Sequence, residues 1–285
     1  MSPVDPDEQR ANSREAWERA AAGWGKHADF VRKWGMPVSA AMIDRLALQP
    51  GQRVLELAAG PGDTGFMALE LVQPGGTLVS SDGAEAMLEI ARSRARKAGI
   101  ESSVEFKLID LEWIDLETAS VDAALCRWGI MLIVDPEAAA REVRRVLRPG
   151  GRAAFAVWDV PDRNPWATIP SRALIELGHA EPPDPEAPGM FALAPAEKIQ
   201  ELLQGAGFVE VSVLAVGVER RYERLEQFIQ DTTEISPLFG ATVRELSESD
   251  RAAVQDRIEA SAAEYTADDG SVVLPGRSLV AVGSA

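Results

Sequence analysis

Between residues 50 and 160 short apolar runs alternate with amphipathic stretches. Val54-Leu55-Glu56-Leu57-Ala58 reads as a buried strand. A glycine-rich turn follows over 60–65, then a helix over 66–72 that Pro74-Gly75-Gly76 breaks. The rhythm repeats with strands over 77–80, 104–109, 121–126 and 153–158, and a helix over 84–98. Asp135 is placed to cap the next helix, with Pro136 at its first position, and Leu147-Arg148-Pro149-Gly150-Gly151 ends it. Strands and helices alternating at this spacing predict right-handed crossovers and an α/β fold, its parallel sheet covered on both faces.

The flanks follow a different pattern. Residues 10–34 read as one helix carrying Trp17, Trp24, Phe30 and Trp34, and Pro37 opens a second helix over 37–48. After Trp158 the chain is proline-rich over 159–194, with one helix at most, over 171–177. A helix over 197–204 and a strand over 208–216 follow. Residues 222–266 read as mostly helical, and a last strand over 271–282 is interrupted at Pro275-Gly276. No internal repeat occurs. The expectation is a single domain over 1–285, with an N-terminal helical cap over 1–36 and two lid segments, 159–194 and 222–266.

Composition narrows the partners. The formal net charge of -16 repels phosphate backbones, which argues against nucleic acid. The basic runs Arg92, Arg94, Arg96, Lys97 and Arg141, Arg144, Arg145, Arg148 sit toward helix ends, where cations complement the macrodipole. No stretch is apolar over the roughly 18–20 residues of a membrane span. The start MSPVDPDEQR lacks the features of a signal peptide. The only cysteine is Cys126, and metal-ligand clusters at helical spacing are absent, so no metal is expected. A cytoplasmic setting is the plain expectation.

Chemistry concentrates at the first turn. Gly60-Pro61-Gly62-Asp63-Thr64-Gly65 fits the dinucleotide fingerprint G-x-G-x-x-G, and its glycines let a ligand approach bare backbone at the mouth of the sheet. That loop alone does not separate nicotinamide from another adenosine-bearing ligand. Glu56, four residues before Gly60, does: a buried carboxylate needs partners, and a cationic ligand supplies one where a pyrophosphate does not. Glu56-Leu57-Ala58-Ala59-Gly60-Pro61-Gly62 resembles the first motif of the class I S-adenosylmethionine-dependent methyltransferases. Further matches come in that family's order: Asp82 with Gly83 and Met87, Asp110-Leu111, Ser120-Val121-Asp122, the turn Leu147 to Gly151, and Gly207-Phe208. The likeness is greatest to the small-molecule methyltransferases of the ubiquinone/menaquinone-biosynthesis type. It implies a Rossmann-like sheet of seven strands in the order 3-2-1-4-5-7-6, strand seven antiparallel. It also implies S-adenosyl-L-methionine held by Glu56, Ala58, Gly60, Gly62, Asp82, Gly83, Met87, Asp110, Leu111 and Arg127.

The acceptor side departs from the family pattern. Trp17 and Trp24 stand where relatives often carry tyrosine, and Arg127-Trp128-Gly129 stands where many carry Asn or Ser with His. Trp24, Trp128, Trp158 and Phe239 are candidates for contact with a small, apolar or aromatic acceptor. His27, in the cap, is the candidate general base. Two other readings share the glycine loop: a cofactor-binding protein without catalysis, and a nicotinamide-dependent oxidoreductase. Against the second stands the lack of a Tyr-x-x-x-Lys pair, since Tyr222 and Tyr265 are followed four residues on by Glu226 and Asp269.

Overall fold

The computed structural model describes residues 5–185 and 187–285; residues 1–4 of the cap and Glu186 of the 159–194 segment lie outside the described residues. Strands β1 (Arg53–Leu57), β2 (Thr77–Asp82), β3 (Val104–Leu108), β4 (Val121–Arg127), β5 (Leu147–Trp158), β6 (Val209–Tyr222) and β7 (Val272–Ser284) form one sheet in the order 3-2-1-4-5-7-6. The pairs among β1 to β5 are parallel, and β7 runs antiparallel to both β5 and β6. Helices α3 (Asp63–Val72), α4 (Glu85–Ala98) and α5 (Pro136–Val146) make the crossovers between parallel strands. The central strands are apolar on both faces: Val54, Leu55, Leu78, Val79, Ala124 and Leu125 are all buried, as the helical cover requires.

Three elements differ from the sequence expectation. The first break in the N-terminal segment falls at His27, giving α1 (Pro6–Lys26) and α2 (Ala28–Leu46), and Pro37 lies inside α2. The buried stripe Val31, Trp34, Val38 and Met42 recurs every three to four residues straight through the proline, so packing on the sheet holds the helix across one missing N–H. Helix α6 (Pro165–Glu176) starts six residues before the expected 171, with Pro165 in its first turn. The ladder of β7 is continuous through Pro275 and Gly276, which pair with Glu219 and Val218 of β6. On the other side of β7, pairing with β5 runs only as far as Ser278. Pro275 therefore sits at an edge position, where its missing N–H interrupts no second ladder. A Cβ on Gly276 would stand 2.8 Å from Trp166 Nε1, so glycine lets that indole lie on the strand.

The rest of the chain is α7 (Ala196–Gly205), α8 (Leu225–Ile235), α9 (Pro237–Glu245) and α10 (Glu248–Ala262). Among the described residues no helix is long and apolar enough to cross a membrane.

Candidate cofactor and acceptor site

The carboxyl ends of β1, β2, β3 and β4 open onto a cavity of about 170 Å³ roofed by α1. A doubly wound sheet holds its ligand crevice at this edge, where the strand order reverses. The glycines of the first turn each have a distinct task. Gly60 has φ +52°, and a Cβ there would meet nothing within 4 Å. Gly62 has φ +85°, and a Cβ would stand 2.6 Å from the Phe66 ring. At Gly65 a Cβ would stand 2.2 Å from Glu56 Oε2. Gly65 thus makes room for the Glu56 carboxylate under the first turn of α3, and its N–H donates to Glu56 Oε1 at 2.7 Å.

Glu56 is almost fully buried, with Ser80 Oγ donating to its second oxygen at 3.2 Å. Burial pushes its carboxyl up to about 8, partly offset by the Gly65 N–H, Arg127 and Ser80. Asp82, at the end of β2, accepts from Gly60 N–H at 2.8 Å and Ala84 N–H at 2.9 Å, one on each oxygen. Burial raises its pKa against those backbone bonds. Each oxygen keeps a lone pair for a ligand hydroxyl. Asp110 takes the Glu112 N–H at 3.0 Å and lies 3.7 Å from Arg14 of α1. Arg127 is desolvated, which lowers its pKa; it donates to Ser39 at 3.1 Å and lies 4.6 Å over the Trp128 ring. Ala58 and Trp128, both in the cavity wall, adopt φ +49° and +64°. Left-handed backbone at residues that carry a Cβ concentrates at ligand sites.

The roof is fixed by ionic and aromatic contacts. Asp5 caps α1 through the Asp7 N–H. Arg10 donates twice to Glu112 Oε2, at 2.8 and 2.5 Å, while Glu112 Oε1 accepts from the N–H groups of Val134 and Asp135. Glu18 accepts from the N–H groups of Glu85 and Ala86 at the start of α4, where helix donors lack partners. Trp17 meets Trp24 edge to face at 5.8 Å, and Trp24 Nε1 donates to Ile235 O of α8.

The cavity wall brings together Glu56, Ala58, Gly60, Asp82, Gly83, Met87, Asp110, Leu111, Arg127, Trp24 and Trp128 of the expected set. Gly62 shapes the turn behind it. Trp158 lies one ring deeper, stacked on Trp128 at 4.5 Å, and Phe239 is buried in α9 away from the wall. His27 is remote from the cavity: its Nε2 is 2.6 Å from Glu234 of α8 and its Nδ1 is 3.6 Å from Asp231. That geometry pins the junction of α1 and α2 to α8. Among the described residues none of 159–194 or 222–266 lines the wall; its roof comes from α1. Sequence reasoning missed Gln9, Arg10, Ser13, Arg14 and Glu112. Only the expected N-terminal helical cap over 1–36 pointed toward the four on α1.

The methyltransferase-domain family profile matches residues 57–155, which hold the strand-end residues of this cavity's wall apart from Glu56. The sheet around this methyltransferase-domain match has the strand order expected of the class I S-adenosylmethionine-dependent methyltransferases. It is 38% identical over 121 residues to an uncharacterized 37.1 kDa transposon protein of Streptomyces fradiae, covering 41% of this chain and 34% of that one. It is 27% identical over 179 residues to the ubiquinone/menaquinone biosynthesis C-methyltransferase of Pasteurella multocida, covering 60% of this chain and 67% of the relative. The YcgJ protein of Bacillus subtilis shares the fold at TM-score 0.56 and 18% identity, over 86% of this chain and 97% of that one.

The residues present fit the domain's methyl donor. Glu56, buried beside the turn, would hold its ammonium group; the spare lone pairs of Asp82 would take two ribose hydroxyls; Asp110 and Leu111 would hold the adenine.

Proposed function

We propose that the chain transfers the methyl group of S-adenosylmethionine to a small, apolar or aromatic molecule. The observation that carries this reading is the composition of one cavity wall: carboxylates at the strand ends on one side, and Trp17, Trp24, Trp128, Leu132 and Ile133 around the rest. When bound, the donor supplies an electrophilic methyl group that a nucleophile displaces in line. The protein then has to orient two molecules and keep water out. Asp82 and Glu56 fix the donor, Trp24 and Trp128 align the acceptor, and α1 closes the roof through Arg10 and Glu112. With His27 engaged by Glu234, the acceptor's proton leaves to solvent or to a carboxylate of the wall.

Calorimetry with S-adenosylmethionine and NADH, followed by a screen of small quinol and aromatic acceptors with radiolabelled donor, tests this. Micromolar binding of S-adenosylmethionine and label transfer to a neutral or acidic aromatic are the expected results. Saturable NADH binding without any S-adenosylmethionine response overturns the reading. Tight donor binding with no transfer to any acceptor class would leave a cofactor-binding protein instead.

A further inference from the structure

The two edges of the sheet are built differently. β3 closes one end of the strand order with 5 residues and carries Glu105 and Lys107. A short edge with charges on it resists pairing with another chain. β6 closes the other end with 14 residues and pairs with β7 alone. From Val211 to Val218 it holds no charged residue and no proline, in a chain whose net charge is -16. Leu214, Ala215 and Gly217 are exposed, and Val211, Val213 and Val216 are half-buried. Among the described residues no backbone group outside β7 bonds to the ladder of β6. The helix beside it, α2, meets side chains instead: Arg45 donates to Ser212 at 3.3 Å, and Phe30 lies 5.2 Å from Tyr222.

A long uncharged edge is a template for another strand. A two-fold copy of β6 fits it, because antiparallel pairing across a dyad sets each outward N–H against an outward C=O. Charge then selects the register. Val209 pairs with Ser284 and Ser212 with Val282, so Glu210 and Val211 share the place opposite Gly283, with Glu210 at φ +53°. From Ser212 to Tyr222 the register is regular. With Val216 opposite its own copy, Gly217 faces Ala215, Val218 faces Leu214, and Arg221 faces the bulge that carries Glu210. In the single chain Arg221 contacts Glu219 at 2.5 Å, and both are exposed, so that pair is weak and free to rearrange. Slips come in steps of two residues, since alternate residues point their ladder groups outward. One such slip puts Glu219 against the Glu210 bulge, and the slip the other way leaves Arg221 opposite Val213. Of the three registers, the one centred on Val216 alone joins opposite charges.

We propose that the chain forms a two-fold dimer through β6, the two sheets joining edge to edge with Val216 at the dyad and Arg221 against Glu210 at each end. Dimerisation of this kind leaves the cavity of both copies open, since no residue of β6 lines it.

Sedimentation equilibrium of the full chain over the micromolar range tests this, and a mass twice that of the chain is expected. Arg221→Glu sets like charges at both ends and should weaken the dimer about tenfold or more; Glu210→Arg should do the same with the opposite sign. Both side chains are exposed, so each variant should keep the parent's circular dichroism. An equimolar mixture of the two variants should dimerise about as tightly as the parent, because every end of the mixed pair again joins an arginine to a glutamate. A variant that merely misfolds is not rescued by mixing. A parent that stays monomeric throughout, the outcome if this edge receives a strand of another protein instead, overturns the proposal. So does a dimer indifferent to both substitutions, or a pair of weakened variants that mixing leaves as weak as either alone.

Discussion

Replacing Glu56 by glutamine should flatten the pH dependence of folding. The Glu56 carboxyl sits at about 8 in the folded chain against 4.5 when unfolded, chiefly because burial disfavours its charge. Below pH 4.5 both states carry the proton, and the group's contribution is fully present. Between the two values the folded chain holds a proton that the unfolded chain has released, so each unit of rising pH costs folding about 1.4 kcal/mol. The loss levels off above pH 8. From pH 6 to pH 8 the single group accounts for about 2 kcal/mol, or roughly 3 °C in melting temperature for a chain of this length. Asp82 is shifted in the same direction, but it is common to parent and variant and cancels in the comparison. Glutamine keeps the shape and can still accept the Gly65 N–H. Urea unfolding of both proteins at pH 6 and pH 8 measures the difference: the parent should lose about 2 kcal/mol more than Glu56→Gln over that interval. Parallel stability curves would refute the assignment of a protonated carboxyl under α3.

The same charge logic reaches the ligand. An ammonium group beside Glu56 favours the carboxylate, so binding of S-adenosylmethionine at pH 7 should expel a proton and tighten as pH rises toward 8. Calorimetry in phosphate and in Tris, which differ in ionisation enthalpy, reads the released proton directly. The glutamine variant should show buffer-independent heats.

Other substitutions separate the roles of neighbouring groups. Asp82→Ala should weaken the cofactor by about 2–4 kcal/mol, roughly 30- to 1000-fold, and Asp82→Asn by less; a folded alanine variant that binds within about threefold of the parent contradicts the ribose assignment. Glu112→Gln loosens the roof by weakening the Arg10 contact, so stopped-flow release of S-adenosylhomocysteine should accelerate several-fold, with the effect fading at 1 M salt as the parent's own latch is screened. Phe239→Ala should lower stability by about 3 kcal/mol through the cavity it leaves in α9, with cofactor affinity intact; a loss of affinity without a loss of stability would place that ring at the site after all.

The sheet and its cofactor edge were legible in the sequence because the information there is local. Val54 to Gly65 encodes a strand, a tight turn and a helix start within a dozen residues, and the same unit recurs to Trp158. The order 3-2-1-4-5-7-6 came with the family likeness and matches the strands observed. Pro37 misled because a proline is strong local punctuation. The stripe Val31, Trp34, Val38, Met42 outweighs it only once a sheet exists to bury that stripe. The roof was illegible for a different reason. Arg10 and Glu112 are 102 residues apart, and nothing in either neighbourhood marks it as half of a pair. Trp34, Trp166 and Arg220 are likewise scattered along the chain, drawn from a helix, a second helix and a strand that meet only in the tertiary fold. Cofactor contacts hang on strand ends, whose position follows from sheet topology. Acceptor contacts hang on helices added around the sheet, whose docking depends on side chains distant in sequence. Donor chemistry is therefore readable from a single chain of this fold, whereas the acceptor side of the wall appears only once side chains as distant as Trp24 and Trp128 meet in it.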